Sequence, residues 1–142
     1  MAASWLIDTC VVSELAKATP EPAVVRWLEQ HAQGVMVAAV SLGEIVYGVE
    51  SLPVGARRNA LQRWCGDMQA HFSGRFLLTD EAVWQTFGRL KASLEAIGRP
   101  QDDMDVLIAA TATAHSLSVV TRNVKHFKDT GVELLNPWEA KH

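Results

Sequence analysis

The sequence has only two cysteines, no long apolar run and no signal-peptide pattern. Cys10 and Cys65 are far apart and form no CxxC pair, which excludes a disulfide framework and a cysteine-ligated zinc site. The longest apolar run, Val35 to Val40, is too short to cross a membrane. The first residues, MAASWLIDTC, lack the positive stretch and apolar core of a signal peptide. We therefore expect a cytoplasmic protein without a membrane partner.

The chain is long and apolar enough to fold without a disulfide or a structural metal. It has 142 residues, of which 49% are hydrophobic and 20% are charged. A chain of this length buries about two thirds of its unfolded surface. The formal net charge of −3 argues against a protein that coats nucleic acid by charge alone. No internal repeat or low-complexity tract divides the chain, so we expect a single domain over residues 1–142.

Short apolar runs alternate with longer segments of helical periodicity, a pattern typical of an α/β domain with a mostly parallel sheet. The runs predict five strands, at Trp5–Ile7, Val35–Ala38, Arg75–Leu78, Leu117–Thr121 and Val132–Leu135. The periodic segments predict helices at Glu21–Ala32, Ser41–Val49, Val54–Ala70, Asp80–Ile97 and about Asp103–His115. The last helix is rich in alanine, and we expect it to be buried against the sheet.

Four polar side chains fall where parallel strands end or neighbouring helices begin. Asp8 directly follows the first strand, and Glu44 lies in the first turn of the helix after the second. Asp105 lies in the first turn of the helix that precedes the fourth strand, and Asn123 comes two residues beyond that strand. Ligands gather at the carboxyl edge of a parallel sheet because loops and helix N-termini converge there. We expect these side chains to face one rim.

Each acid taken alone also has an ordinary structural explanation. Ser41-Leu-Gly-Glu44 matches a capping box, which favours a cap over a ligand for these two residues. Asp8 can cap a helix that begins near Cys10, and Asp105 can offset the dipole of its own helix. These explanations are favoured for each residue in isolation.

Considered together, the acids favour a metal site. Asp8 and Asp105 are flanked by apolar residues, in WLIDT and MDVLIAA, so burial of both carboxylates demands a compensating cation. The motifs contain no lysine or arginine except Arg122 beside Asn123. A hard divalent cation such as Mg²⁺ suits oxygen ligands and supports phosphodiester or phosphomonoester hydrolysis. A nuclease or a phosphatase is therefore the leading class.

A phosphatase of the haloacid dehalogenase type also has an aspartate after its first strand. That chemistry needs a second aspartate two residues later, and Cys10 occupies this place. The sequence thus argues against this phosphatase class.

Three segments and a C-terminal motif resemble the PIN-domain ribonucleases of the VapC toxin family. They are LIDTCVVSEL at 6–15, VSLGEIVYGVE at 40–50, DVLIAATATAHSLSVVTRNVKHF at 105–127 and Asn136-Pro-Trp138. The resemblance covers essentially the whole chain in the same order and spacing. It implies a PIN-like fold, with a central parallel sheet of five strands flanked by helices on both faces. It also implies Mg²⁺-dependent or Mn²⁺-dependent endoribonuclease cleavage of structured RNA, such as transfer or ribosomal RNA.

The resemblance further implies site residues and partners. The family's first three acids match Asp8, Glu44 and Asp105, which would bind the metal and serve catalysis. Its fourth acid falls on Asn123, a neutral residue that puts a stable two-metal site in doubt. Cys10 stands where many relatives have Asn, and His126 where many have Asp. The implied partners are a VapB-type antitoxin, through which the complex contacts DNA indirectly, and a second copy of the chain in a homodimer.

The remaining polar residues have weaker functional assignments. Thr9 and Ser41 are candidates to orient ligands or water, although Ser41 is equally explained as a cap. Arg122 and Lys125 lie beside the expected rim and are candidates for RNA phosphate contacts. For His126, a position near the rim is one alternative, but a surface role is favoured because the five histidines lack metal-ligand spacing.

A binding-only role is the alternative to catalysis. In that case the acids belong to a catalytically weak PIN domain that acts mainly as the regulatory partner of its antitoxin. Metal-dependent cleavage of RNA distinguishes the two functions.

Overall fold

The computed structural model describes residues 3–139, and it contains five strands and six α-helices within that range. The strands are β1 (Trp5–Ile7), β2 (Val35–Ala38), β3 (Phe76–Leu77), β4 (Ser118–Val120) and β5 (Leu134–Leu135). The helices are α1 (Thr9–Glu14), α2 (Pro22–Gln30), α3 (Ala39–Glu50), α4 (Ala56–His71), α5 (Glu81–Ala96) and α6 (Asp103–Ala114). The predicted bounds of β1 and β2 are confirmed, whereas β3, β4 and β5 are shorter than predicted: the central residues of the predicted β3 and β4, and the last two residues of the predicted β5, pair with a neighbouring strand.

The sheet has the strand order β3-β2-β1-β4-β5, and every pairing is parallel. The central strand β1 pairs on both sides, with Ile7 opposite Val37 of β2 and Val120 of β4. All five carboxyl ends therefore meet at one edge. This arrangement confirms the prediction of an α/β fold with a parallel sheet.

Helices cover both faces of the sheet. Side chains alternate along each strand, so Leu6 points to one face and Ile7 to the other. The Ile7 face packs against α1, α2, α3 and α4, while the Leu6 face packs against α6. All residues of α6 from Val106 to Ala112 are buried, as the alanine-rich sequence predicts. In the part of the chain that the structure describes, no helix is long and apolar enough to cross a membrane.

Short connections bring three helix N-termini to the carboxyl edge. Only Asp8 separates β1 from α1, and α3 follows β2 with no intervening residue. The N-terminus of α6 lies at this edge because α6 runs back across the sheet before β4 begins. The parallel sheet thus places the beginnings of α1, α3 and α6 side by side.

Candidate active site

Asp8 is buried at the carboxyl end of the central strand, with 4% of its surface exposed. It caps α1, because its Oδ1 accepts a hydrogen bond from Thr9 N at 2.8 Å. Its Oδ2 accepts a second bond, at 2.7 Å, from the hydroxyl of the fully buried Thr121. The prediction that Asp8 caps a helix is confirmed. The cap uses Oδ1 of the carboxylate, and Thr121 orients Oδ2.

The thiol of Cys10 lies beside the same carboxylate. Its Sγ is 3.5 Å from Asp8 Oδ2 and 3.5 Å from Thr121 Oγ1. Burial, followed by the negative charge of Asp8, raises the pKa of the Cys10 thiol. The protonated thiol therefore acts as a weak donor to Asp8.

Glu44 is held at the rim by a chain of two hydroxyl groups. The Thr9 hydroxyl lies 2.7 Å from Glu44 Oε1 and 2.9 Å from Ser41 Oγ. Because a hydroxyl carries one proton, Thr9 donates to the carboxylate and accepts from Ser41. Thr9 and Ser41 thus hold Glu44 through this chain of hydrogen bonds.

The capping-box interpretation of Ser41 and Glu44 is wrong. Helix α3 begins at Ala39 because β2 runs into it directly, and its N-cap Ala38 makes no side-chain capping bond. Ser41 therefore lies inside the helix, fully buried, and its hydroxyl needs a partner, which Thr9 supplies. Glu44 lies in the second turn of α3, one turn later than predicted.

Asp105 carries the clearest electrostatic signal at the rim. Its pKa is raised from an ordinary 3.8 to about 6, first by burial and then by the negative charge of Asp8. Asp102 and Glu44 raise the pKa further, and His126 lowers it. Asp105 is therefore close enough to Asp8 and to Glu44 for their negative charges to act on it.

His126 lies near the rim, which was the alternative considered for it from the sequence. Its Nδ1 is 3.5 Å from Asp105 Oδ2, although half of the imidazole side chain remains exposed. The residue lies in a 3₁₀ turn, Val124–Phe127, that follows β4 and returns the chain to the rim. His126 is thus an exposed residue that also contacts one of the acids. The signal in the sequence was its position, because many relatives have an acid there.

The other predicted residues lie around the acids with weaker contacts. Asn123 is exposed, and its backbone N–H donates to Thr121 Oγ1 at 3.0 Å. Lys125 is exposed in the 3₁₀ turn, and Arg122 is exposed above the ring of Trp138. Thr121 was missed as a site residue; the signal was a hydroxyl residue at the end of an otherwise apolar strand.

The donors at this rim fit a hard divalent cation by their chemistry. Within residues 3–139, no three His, Cys, Asp or Glu side chains are close enough together to hold a metal ion as they stand. Mg²⁺ commonly binds through one or two carboxylates and keeps several waters, so it does not require a closed protein cage. The pKa of Asp105 is raised first by burial and then by the negative charge of Asp8, and His126 offsets part of this effect. A bound cation would also offset that negative charge.

The parallel sheet and the acids at its carboxyl edge place this chain in the class of open α/β domains whose ligand sites lie at that edge. Within that class, the chain belongs to the PIN-domain family, whose model matches residues 5–133.

Two curated relatives and one solved structure illustrate the similarity. VapC ribonuclease Y4jK of Sinorhizobium fredii is 35% identical over 136 residues, covering 94% of this chain and 97% of the relative. Toxin FitB of Neisseria gonorrhoeae is 34% identical over 135 residues, with the same coverage of 94% and 97%. A structure of FitAB bound to an IR36 DNA fragment contains a chain with a TM-score of 0.88 and 32% identity, covering 97% of this chain and 98% of that one.

Proposed function

We propose that this chain is the toxin of a type II toxin–antitoxin pair and a metal-dependent endoribonuclease. Its substrate class is structured RNA, such as transfer or ribosomal RNA, and it acts in the cytoplasm as one domain over residues 1–142. The observation that carries the proposal is the grouping of Asp8, Glu44 and Asp105 at the carboxyl edge, where burial, followed by the charge of Asp8, raises the pKa of Asp105. The similarity to a VapC ribonuclease along nearly the whole chain supports the reaction class.

In this proposal Asp8 and Asp105 would hold Mg²⁺ or Mn²⁺, and Glu44 would complete the set or orient the attacking water. Such a cation, when bound, lowers the pKa of a bound water and offsets charge on phosphoryl oxygens. Thr121 holds Asp8, and Thr9 holds Glu44, so both carboxylates are oriented before RNA arrives. Asn123 adds a neutral contact, whereas Arg122 and Lys125 offer positive charge to the RNA backbone. The reaction adds water across one phosphodiester bond.

Cleavage of total cellular RNA by the purified protein tests this function. We expect new RNA ends at discrete positions when Mg²⁺ or Mn²⁺ is present, and none in EDTA. Binding of the antitoxin without any metal-dependent cleavage would instead favour the binding-only role.

Thr121→Val removes the hydroxyl that orients Asp8 and changes little else in shape. We expect it to lower the free energy of unfolding by about 1–2 kcal/mol, because a buried carboxylate oxygen loses its donor. We also expect RNA cleavage to fall by about tenfold or more, as is typical when a partner of a metal ligand is removed. Urea unfolding and initial cleavage rates measure the two effects. Thr121→Ser keeps the hydroxyl and should preserve most of both; equal losses in the two variants would contradict the orienting role.

An apolar groove between α2 and α4 is the proposed site for the antitoxin. It has a volume of about 600 Å³ and runs beside β2. Its apolar lining includes Leu15, Val25, Leu28, Val35, Trp64, Met68 and Phe72. We infer that an apolar helix of a VapB-type antitoxin lies there, that the antitoxin carries the DNA contacts of the complex, and that the toxin forms a homodimer. The likeness to a chain from a DNA-bound FitAB structure supports this assembly.

Val25→Asp tests the groove, because it places a charge in the apolar lining at a partly exposed position. We expect the affinity for the cognate VapB-type antitoxin to fall by tenfold or more, since the new carboxylate would be desolvated in the complex. Val46→Asp is the matched control, at an exposed position of α3 outside the groove. Calorimetry or co-purification measures the affinity. Equal binding by the two variants would exclude this groove.

A further inference from the structure

Arg122 is arranged differently from the other cations near the rim. Its guanidinium carbon lies 5.2 Å from the centroid of the Trp138 ring, a cation–π contact. The residue itself is exposed, so its polar atoms face solvent while one face is occupied by the indole. A long arginine side chain ordinarily loses conformational entropy when it binds a ligand. Contact with a ring reduces that cost before binding.

Trp138 is a firm support for this contact. It follows β5 and packs, partly buried, against the core on the Ile7 face of the sheet. Its backbone N–H donates to Asn136 Oδ1 at 3.0 Å, which fixes the turn that presents the ring. The motif Asn136-Pro-Trp138 therefore has a local structural role at the carboxyl end of β5, next to the carboxyl end of β4.

The backbone places Arg122 immediately beside the candidate active site. Thr121, which precedes it, donates to Asp8, and Asn123, which follows it, returns a backbone N–H to Thr121. The guanidinium is thus tied to the same short segment that orients a catalytic carboxylate.

The charge of Arg122 is not neutralised by an ion pair with Glu14. Glu14 is buried, but Lys17 pairs with it at 2.8 Å. The hydrogen bond from Lys17 is the main reason that the pKa of Glu14 is lowered, and the charge of Arg122 contributes least. The guanidinium therefore keeps its capacity for a further anion.

We propose that Arg122, held by Trp138, binds a backbone phosphate of the RNA next to the phosphodiester bond that is cleaved. A planar guanidinium matches a phosphate with two parallel hydrogen bonds, which a lysine cannot reproduce. Trp138 is a positioning residue that acts through Arg122. This inference rests on the proposed ribonuclease function.

The test measures RNA affinity over a range of salt concentrations in the full chain carrying Asp8→Asn, so that the RNA is not cut. The probe is a fluorescent hairpin RNA that the wild-type protein cleaves. We expect Arg122→Ala to weaken binding by about tenfold and to reduce the salt dependence by about one phosphate contact. Arg26→Ala removes an exposed arginine of α2 and is the control for charge loss alone. Equal effects of these two variants would overturn the assignment.

The positioning role of Trp138 needs a readout that would not respond if the residue only stabilised the fold. Trp138→Leu should weaken binding by about three- to fivefold with the salt dependence unchanged, and Trp138→Phe should restore most of the affinity. Combined with Arg122→Ala, Trp138→Leu should add no further loss, because the two residues act as one unit. Arg122→Lys tests the contact between Arg122 and Trp138 while leaving Trp138 unchanged. We expect this variant to match Trp138→Leu in its affinity for the RNA and in the salt dependence of that affinity.

The outcomes separate the two levels of the proposal. The phosphate assignment fails if wild-type protein cleaves RNA but the losses of affinity from Arg122→Ala and Trp138→Leu simply add. It also fails if Arg122→Lys binds the RNA as tightly as the protein that retains Arg122. If wild-type protein cleaves no RNA at all, the proposed function itself fails.

Discussion

Asp8→Asn should reduce the rate of RNA cleavage by about a hundredfold or more while the protein still folds. Asn retains the Oδ1 acceptor for Thr9 N, and its amide can donate to the Thr121 hydroxyl in place of accepting from it. The variant therefore keeps the cap and the buried contact but loses the negative charge. A loss of this size is expected when electrostatic stabilisation supplies much of the rate.

Initial rates on a defined RNA substrate, together with circular dichroism, measure this effect. Asp67→Asn is the matched control, because it removes a carboxylate charge from an exposed position of α4. The control should cleave at the wild-type rate. Full metal-dependent activity of Asp8→Asn would rule out the rim as the catalytic site.

Asp105→Asn should have opposite effects on stability and on activity. Burial and the nearby acids raise the pKa of Asp105 from 3.8 to about 6, so the ionised carboxylate destabilises the metal-free folded state. Removing the charge should raise the free energy of unfolding by about 2 kcal/mol at pH 7.5 in EDTA. The same change should lower RNA cleavage by about a hundredfold, because a ligand for the proposed cation is lost.

The stability gain of Asp105→Asn should depend on pH in a defined direction. Folded Asp105 binds its proton more tightly than the unfolded chain does, so wild-type stability from this group rises as the pH falls from above 6 towards 3.8. The gain is therefore fully present above pH 6 and disappears as the pH falls through this window. Urea unfolding of both proteins at pH 7.5 and pH 4.5 measures it.

Asp103→Asn provides a control two residues away on the same helix. Asp103 is exposed and pairs with Lys91 at 3.0 Å, as expected for a solvated first turn. Its replacement should change stability little and leave cleavage intact. A gain that persists undiminished at low pH in Asp105→Asn would show that burial of a charged carboxylate is not its cause.

The sequence contained enough information to predict the parallel sheet and the positions of the three acids at its carboxyl edge. The strands β1 and β2 were predictable because each is an apolar run ended by a residue that begins a helix. Once the strands were taken as parallel, the positions of Asp8 and Asp105 followed, since both stand beside the carboxyl edge. Glu44 was expected at the same edge because it follows the second strand, and the resemblance to the VapC family then implied that all three acids bind the metal.

The side-chain network around the acids was less predictable, because it depends on contacts between distant segments. Ser41 matched a local capping pattern, yet its hydroxyl bonds to Thr9, which is 32 residues away along the chain. Thr121 donates to Asp8 across 113 residues. His126 reaches Asp105 only because a 3₁₀ turn folds the segment after β4 back to the rim. Local patterns do not encode such pairings.

Titration of Mg²⁺ and Mn²⁺ into the RNA-free protein by calorimetry tests most directly whether the rim acids form a divalent-cation site. We predict saturable binding by the wild-type protein and by Asp67→Asn, and loss of that binding in the combined Asp8→Asn and Asp105→Asn variant. Binding of unchanged affinity by the combined variant, once circular dichroism has shown that it folds, would contradict the account.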